Sequence, residues 1–165
     1  MILSILILLF VTLQRVGELW LARRNTARLL ARGAYEVGGG HYLLIVGLHT
    51  AWLGALWLLG WDRPASLPWL AAYAVLQALR AWVLLTLGER WTTRIIILPG
   101  ERLVARGPYR FIPHPNYAVV VGEIFVLPLV FGLIEAAVVF SLVNALVLLI
   151  RIRAENRALR SAAPT

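Results

Sequence analysis

Residues 117–150 read YAVVVGEIFVLPLVF, then GLIE, then AAVVFSLVNALVLLI. The two apolar runs, Tyr117–Phe131 and Ala136–Ile150, are separated only by Gly132–Glu135. Each is longer and more continuously apolar than a strand, and the link carries the glycine that a sharp turn favours. The pair is expected to form a tight helical hairpin whose Leu, Val and Ile faces meet lipid or other apolar helices.

Three further apolar runs lie upstream, at Met1–Leu21, Tyr42–Leu59 and Trp69–Leu87. Apolar residues make up 61% of the 165, and charged residues only 15%, against roughly 25% charged in a soluble domain. A membrane helix needs roughly 20 apolar residues, so about five spans use nearly all of the chain. The expected fold class is an all-α integral membrane protein forming one domain over residues 1–165. Three N-terminal spans fill 1–87. The C-terminal half, 88–165, consists of a long polar segment, Gly88–Asn116, the hairpin and a tail. The first run has no basic leader and no small-residue cleavage site, so it reads as a retained span. With no cysteine, a disulfide frame, a thiol nucleophile and a cysteine metal site are all excluded.

All 16 basic residues are Arg, and the formal net charge is +8. A basic excess can mark a nucleic-acid binder, but these arginines cluster beside the apolar runs. They follow the first run (Arg23, Arg24, Arg28, Arg32), the third (Arg90, Arg94, Arg102, Arg106, Arg110) and the fifth (Arg151, Arg153, Arg157, Arg160). By the positive-inside rule the N-terminus is expected outside and the C-terminus in the cytoplasm, with no nucleic-acid partner. Trp20, Trp61, Trp69 and Trp91 stand near run ends, as interfacial aromatics do.

Ionisable groups inside spans are costly and are functional candidates. Arg15 and Glu18, three apart beside Gln14, can pair on one helix face. Tyr73, Gln77 and Arg80 share a face. Glu123 in the fourth run is open to three readings: a proton acceptor, a partner for Arg80 or Asn144, or a neutral buried acid. Asn144, Leu148, Arg151 and Glu155 follow one another at four, three and four, so one face carries an amide in mid-span, a guanidinium at the interface and a carboxylate outside. Such a stripe suits a site holding a greasy molecule at one end and a soluble one at the other; helix–helix hydrogen bonding explains the same residues. Arg151, Asn144 and Glu123 are therefore the catalytic candidates. His41 and His49 lack metal-ligand spacing or a flanking carboxylate, and no metal site is expected.

In the polar segment, Leu98–Pro99–Gly100 and Gly107–Pro108 mark turns. Ile112 and His114 each precede a proline and are pushed towards extended backbone, while Pro115 suits the first turn of the next helix. His114 is then held at a helix N-terminus with Tyr117 on the same side. Free N–H groups there favour anionic ligand groups; a purely structural cap has the same geometry.

The order Gly107–Pro–Tyr–Arg–Phe–Ile–Pro–His–Pro–Asn–Tyr117, an apolar hairpin, then Arg151–Ile–Arg–Ala–Glu–Asn–Arg–Ala–Leu159 resembles the isoprenylcysteine carboxyl methyltransferase family, most strongly over 101–159. Arg80–Ala–Trp–Val, Leu87–Gly–Glu–Arg–Trp91 and Gln14–Arg–Val–Gly–Glu18 resemble a bacterial branch, some members of which methylate alkylpyrones. The resemblance implies a membrane methyltransferase that uses S-adenosylmethionine at the cytoplasmic face and takes a lipophilic acceptor from the bilayer. Carried over by resemblance, Glu101, Arg102, Leu103, Val104, Tyr109, His114, Pro115, Asn116, Tyr117 and Glu155 contact the cofactor, as does Arg94, and Arg151 meets the acceptor's acidic group. The chain departs from the family's pattern at Pro113, where Arg usually precedes His-Pro, and at Asn156, where a second acid often stands. Competing readings are the same chemistry on a prenylated cysteine carboxylate or another lipid, an inactive remnant, and a small carrier using Glu123, Arg80 and Arg15. The lack of an internal repeat speaks against the carrier.

Overall fold

The computed structural model describes residues 1–101 and 104–162, with the backbone alone at residues 41 and 159–162. Five helices account for most of it: α1 (Ile2–Ala31), α2 (Gly39–Gly60), α3 (Leu67–Leu87), α4 (Pro115–Val130) and α5 (Ile134–Ala162). Segments Ile2–Ala31, Tyr42–Gly60, Leu67–Arg90 and Ile134–Ala158 are long and apolar enough to cross a bilayer. Helix α4 has 16 residues and so measures about 24 Å at ~1.5 Å per residue, short of a hydrocarbon layer of roughly 30 Å. Where five spans were expected, four helices of spanning length and one shorter apolar helix are found. Non-helical backbone at His114 (φ −129°, ψ 63°) and the break at Phe131–Leu133 set both ends of α4.

The arginine clusters flanking the first and fifth runs are helical extensions rather than loops. Helix α1 continues through Arg23, Arg24 and Arg28, and α5 through Arg151, Arg153 and Arg157. An all-α fold is corrected in one place. Strands β1 (Tyr35–Val37) and β2 (Ile95–Ile97) form a short antiparallel ribbon, with Tyr35 opposite Ile97 and Val37 opposite Ile95. Three consecutive β-branched isoleucines ahead of Pro99–Gly100 favour extended pairing over helix. The ribbon joins the N-terminal and C-terminal halves of the chain and rests on α5 through Ile95, Ile97 and Ala158.

The main apolar core combines Leu8 and Val11 of α1, Trp52 and Leu56 of α2, Tyr73 of α3, Ile124 and Leu127 of α4, and Phe131. Helix α4 packs between α3 and α5. At Gly122 a Cβ would come within 2.7 Å of Leu76 Cδ2, so the small residue admits the close approach of α3 and α4.

Within this core lies a ring of charge. Glu123, 1% exposed, accepts hydrogen bonds from Arg80 Nε (2.6 Å) and Gln77 Nε2 (2.8 Å) on Oε1, and from Arg15 Nη2 (2.7 Å) and Arg80 Nη2 on Oε2. Glu18 accepts from Arg15 Nη1 at 2.8 Å, Gln14 Nε2 at 3.0 Å and Arg80 Nη1 at 3.3 Å. Gln14 also donates to Gln77 Oε1 at 2.7 Å. Two guanidiniums and two carboxylates thus tie α1, α3 and α4 together with no net charge. Of the readings left open for Glu123, the geometry realises pairing with Arg80, and Arg15 joins it. His49 hydrogen-bonds Ile45 O through Nδ1 (2.9 Å) and meets Trp52 edge-on, which is a packing role.

Removing one partner of a buried ion pair leaves an uncompensated charge. Glu123→Ala is therefore expected to destabilise the fold by about 3–5 kcal/mol, measured by thermal unfolding of the detergent-solubilised protein. Replacing both Glu123 and Arg80 with leucine recovers part of the loss, because Arg15 and Glu18 then still neutralise each other.

Candidate functional site

The cavity lies where the ends of α1, α3 and α5 meet the start of α4, so all three arginine-rich stretches gather at one end of the bundle. It measures about 800 Å³, within the roughly 300–1,000 Å³ of small-molecule sites. Its walls include Leu29, Leu87, Arg90, Trp91, Arg94, Ile95–Leu98, Glu101, Val104, Tyr109, Pro113, His114, Asn116, Tyr117, Arg151, Glu155 and Asn156.

Local sequence builds each wall. Pro115 opens α4, leaving His114 as its N-cap with no side-chain capping bond. The imidazole is free to lie on the Tyr117 ring, centroids 5.2 Å apart and planes 24° from parallel. Its Nε2 is 3.2 Å from Asn156 Oδ1, to which it donates in the Nε2–H tautomer. The Tyr117 hydroxyl donates to Glu155 and accepts from Arg151 Nε at 2.7 Å. A single phenol thus sets the positions of a cation and an anion on α5. Arg151 is 8% exposed, and among the described residues its two Nη atoms have no hydrogen-bond partner. They form an uncommitted cationic fork on the cavity wall.

The opposite wall is braced by ion pairs. Glu101 is held by Arg32 and Arg90, each at 2.9 Å. Arg94 pairs with Glu36 at 2.7 Å and lies over the Tyr42 ring at 4.7 Å. The Glu36 hydrogen bond raises the Arg94 pKa further. Burial, helped by the Glu155 charge, pushes the Tyr109 phenol up to about 12, so at neutral pH it is a neutral hydrogen-bonding group. Buried Asn25 of α1 donates to the carbonyls of Gly88 (3.1 Å) and Trp91 (2.9 Å), fixing the turn after α3. Trp91 Nε1 is buried with no hydrogen-bond partner among the described residues. At Gly107, where φ is +57°, a Cβ would collide with Thr86, so glycine lets this turn seat on α3.

The cavity brings together Glu101, Val104, Tyr109, His114, Asn116, Tyr117, Arg151, Glu155 and Arg94 from the sequence-derived set. Arg102 and Leu103 lie outside the described residues. Pro115 is buried and starts α4 without lining the cavity. Neither Glu123 nor Asn144 is in the lining. Glu123 sits six residues, about 9 Å, further along α4 than Tyr117, and Asn144 seven residues, about 10 Å, back along α5 from Arg151. The face of α5 carrying Asn144, Leu148 and Arg151 is buried, as its spacing predicts, but only its outer end reaches the cavity. Sequence reasoning missed Leu29, Arg90, Trp91, the Ile95–Ile97 strand and the use of Asn156. The isoleucine run was a readable strand signal. Nothing local marks Leu29, which arrives from the first helix.

Residues 69–161 match the model of the Isoprenylcysteine carboxyl methyltransferase (ICMT) family. That stretch contains every lining residue named above except Leu29. The chain is 38% identical over 160 residues to the uncharacterized protein YpbQ of Bacillus subtilis, covering 94% of this chain and 95% of that one. It is 26% identical over 152 residues to an uncharacterized protein of Haemophilus influenzae, 88% of each chain. No solved structure matches.

Tyr117→Phe deletes the hydroxyl that accepts from Arg151 and donates to Glu155. Leaving a buried charged donor without its partner is expected to lower the unfolding free energy by about 1–3 kcal/mol, checked by denaturation in detergent.

Proposed function

The chain belongs to the isoprenylcysteine carboxyl methyltransferase family of membrane methyltransferases, and from that premise we propose that it O-methylates the acidic group of a lipophilic acceptor, with S-adenosylmethionine as donor. The observation that carries this reading is Arg151: a nearly buried guanidinium, anchored through Nε, with both Nη atoms uncommitted at the wall of the cavity.

The donor set fits the cofactor that methyltransferases of this family use. Glu155 and the ring of Tyr109 offer a carboxylate and an aromatic face to a sulfonium, the Tyr117 ring being covered by His114 and Arg151. Arg90 and Arg94 offer cations for an amino-acid carboxylate, and the unpartnered Trp91 N–H offers a donor for a nucleoside acceptor atom. When bound, the cofactor supplies an electrophilic methyl that transfers by in-line displacement. The protein's part is proximity and alignment. Arg151 orients the acceptor anion, Tyr117 keeps Arg151 and Glu155 in register, and His114 and Asn156 hold each other against that pair. Asn144 and Glu123 act from below, in packing and in the ion network.

A carboxylate and an acidic enol make the same demand on Arg151, so a prenylated cysteine carboxylate and an alkylpyrone are both acceptors of the right chemistry. The gathering of the arginine-rich ends around the cavity supports five crossings, with the N-terminus outside and the site on the cytoplasmic side of the inner membrane. The acceptor then enters sideways from the bilayer. The pairing of Glu123, Arg80 and Arg15 with one another favours this enzyme over a carrier.

Titration calorimetry with S-adenosylmethionine, alongside transfer of labelled methyl to candidate acceptors, tests the proposal. Glu155→Ala is expected to weaken cofactor binding roughly 10–100-fold, the worth of hydrogen bonds to a charged group. Arg151→Ala is expected to leave cofactor binding nearly unchanged and to cut turnover by a similar factor, with no rescue by Arg151→Lys because the fork is lost. Failure of the wild-type protein to bind S-adenosylmethionine, or normal turnover in both alanine variants, would overturn it.

A further inference from the structure

Resting on the methyltransferase reading, we propose that the acceptor reaches the cavity along the outer furrow between α4 and α5. Its hydrocarbon chain lies in that furrow, and its acidic head passes His114 and Asn156 to reach Arg151.

Every helix of the bundle has an exposed stripe. Among the described residues, only on α4 and α5 does that stripe lead to a side chain of the cavity wall. On α4, His114 at the N-cap is followed at four, three and four by Ala118, Val121 and Phe125, all three exposed. On α5, exposed Leu146, Leu149, Arg153 and Asn156 follow one another at three, four and three, so they share a face. His114 and Asn156 both line the cavity, with Nε2 and Oδ1 3.2 Å apart. Since α4 and α5 pack together, the two stripes border one furrow that ends at this contact. Behind it the His114 ring lies on Tyr117, whose hydroxyl holds Arg151. The other helices offer no such path. From α1 the cavity receives Leu29, 4% exposed, and from α3 Leu87, one turn beyond buried Val83; α2 contributes nothing.

The side chains along the furrow define its occupant. Val121, Phe125, Leu146 and Leu149 suit a hydrocarbon chain. One turn above Leu149 stands Arg153, exposed and with no ion-pair partner among the described residues. Another apolar helix, or a second copy of this chain, packed along the stripe would have to desolvate that cation. An amphiphile with an acidic head instead pairs with it, and then with the free fork of Arg151. The His114–Asn156 bond at the head of the furrow is exposed, so parting it exchanges one hydrogen bond for others at little net cost.

Photolabelling of the full chain in nanodiscs, with adducts located by mass spectrometry, tests this without requiring turnover. The probe is palmitate carrying a diazirine in mid-chain, and the corresponding alcohol is the neutral control. Val75, Leu79 and Leu85 of α3, likewise exposed, give the reference for ordinary lipid contact. Palmitate adducts at Val121, Phe125, Leu146 and Leu149 are expected to exceed those on α3 roughly tenfold, the worth of a hydrogen bond to a charged group. The alcohol is expected to label both sets alike. Arg151→Ala is expected to remove the enrichment, and Arg153→Ala to lower it about two- to fivefold, as for an exposed pair. Equal palmitate labelling of the two sets, enrichment on another helix, or equal enrichment with the alcohol would overturn the proposal. So would undiminished enrichment in a folded Arg151→Ala protein; if that variant does not fold, the comparison of palmitate with the alcohol decides. Binding of S-adenosylmethionine to the same sample separates the two readings: protein that binds it yet labels uniformly loses the furrow and keeps the methyltransferase assignment.

Discussion

A charge can sit in a membrane interior only when another charge answers it, and in this bundle Glu123 is answered by Arg80 and Arg15 while Glu18 closes the ring. Apolar packing in lipid is permissive, since one leucine face is much like another. A network of directional bonds is not permissive. It allows one rotation of α1, one of α3 and one of α4, because each must turn a particular side chain inward. Its contribution is better described as specificity than as raw stability, given the desolvation its members undergo.

That specificity reaches the cavity through helix phase. Once Glu123 is directed at α3, Tyr117 six residues earlier has little freedom in where it points. Proline at 115 fixes where the helix begins, so the phenol arrives at a set height. Helix α5, joined to α4 by three residues, then brings Arg151 and Glu155 to the same phenol. A buried charge cluster thus determines the register of groups about 9 Å away along the helix without touching them.

Much of this was legible in the linear chain wherever a periodic signal existed. The inward faces Tyr73–Gln77–Arg80 and Asn144–Leu148–Arg151 follow from helical spacing alone, and the proline pair around His114 announces the non-helical lead-in to α4. Residues whose role depends on distant partners were not legible. Glu123 was open to three readings, one of them the pairing with Arg80 that the geometry realises, but its second partner, Arg15, lies over a hundred residues upstream where no spacing announces it. Asn156 looked like a loss of charge and turned out to hold His114. The isoleucine run signals one strand of the ribbon, but its pairing was hidden, because the partner strand is only three residues long and sits about sixty positions away. The apolar run Tyr117–Phe131 foretells α4, Pro115–Val130, to within two residues at either end.

The ribbon also bears on how the cavity breathes. With only three residue pairs it is among the shortest units of sheet a protein can keep, and short elements open locally at low free energy. It nevertheless forms part of the cavity wall through Ile95–Ile97 and braces the end of α5 through Ala158. A ligand that touched both β2 and α5 would act as a rivet across that seam, so the amide protons of these isoleucines are natural reporters of occupancy, slowing their exchange with solvent whenever the compartment is filled.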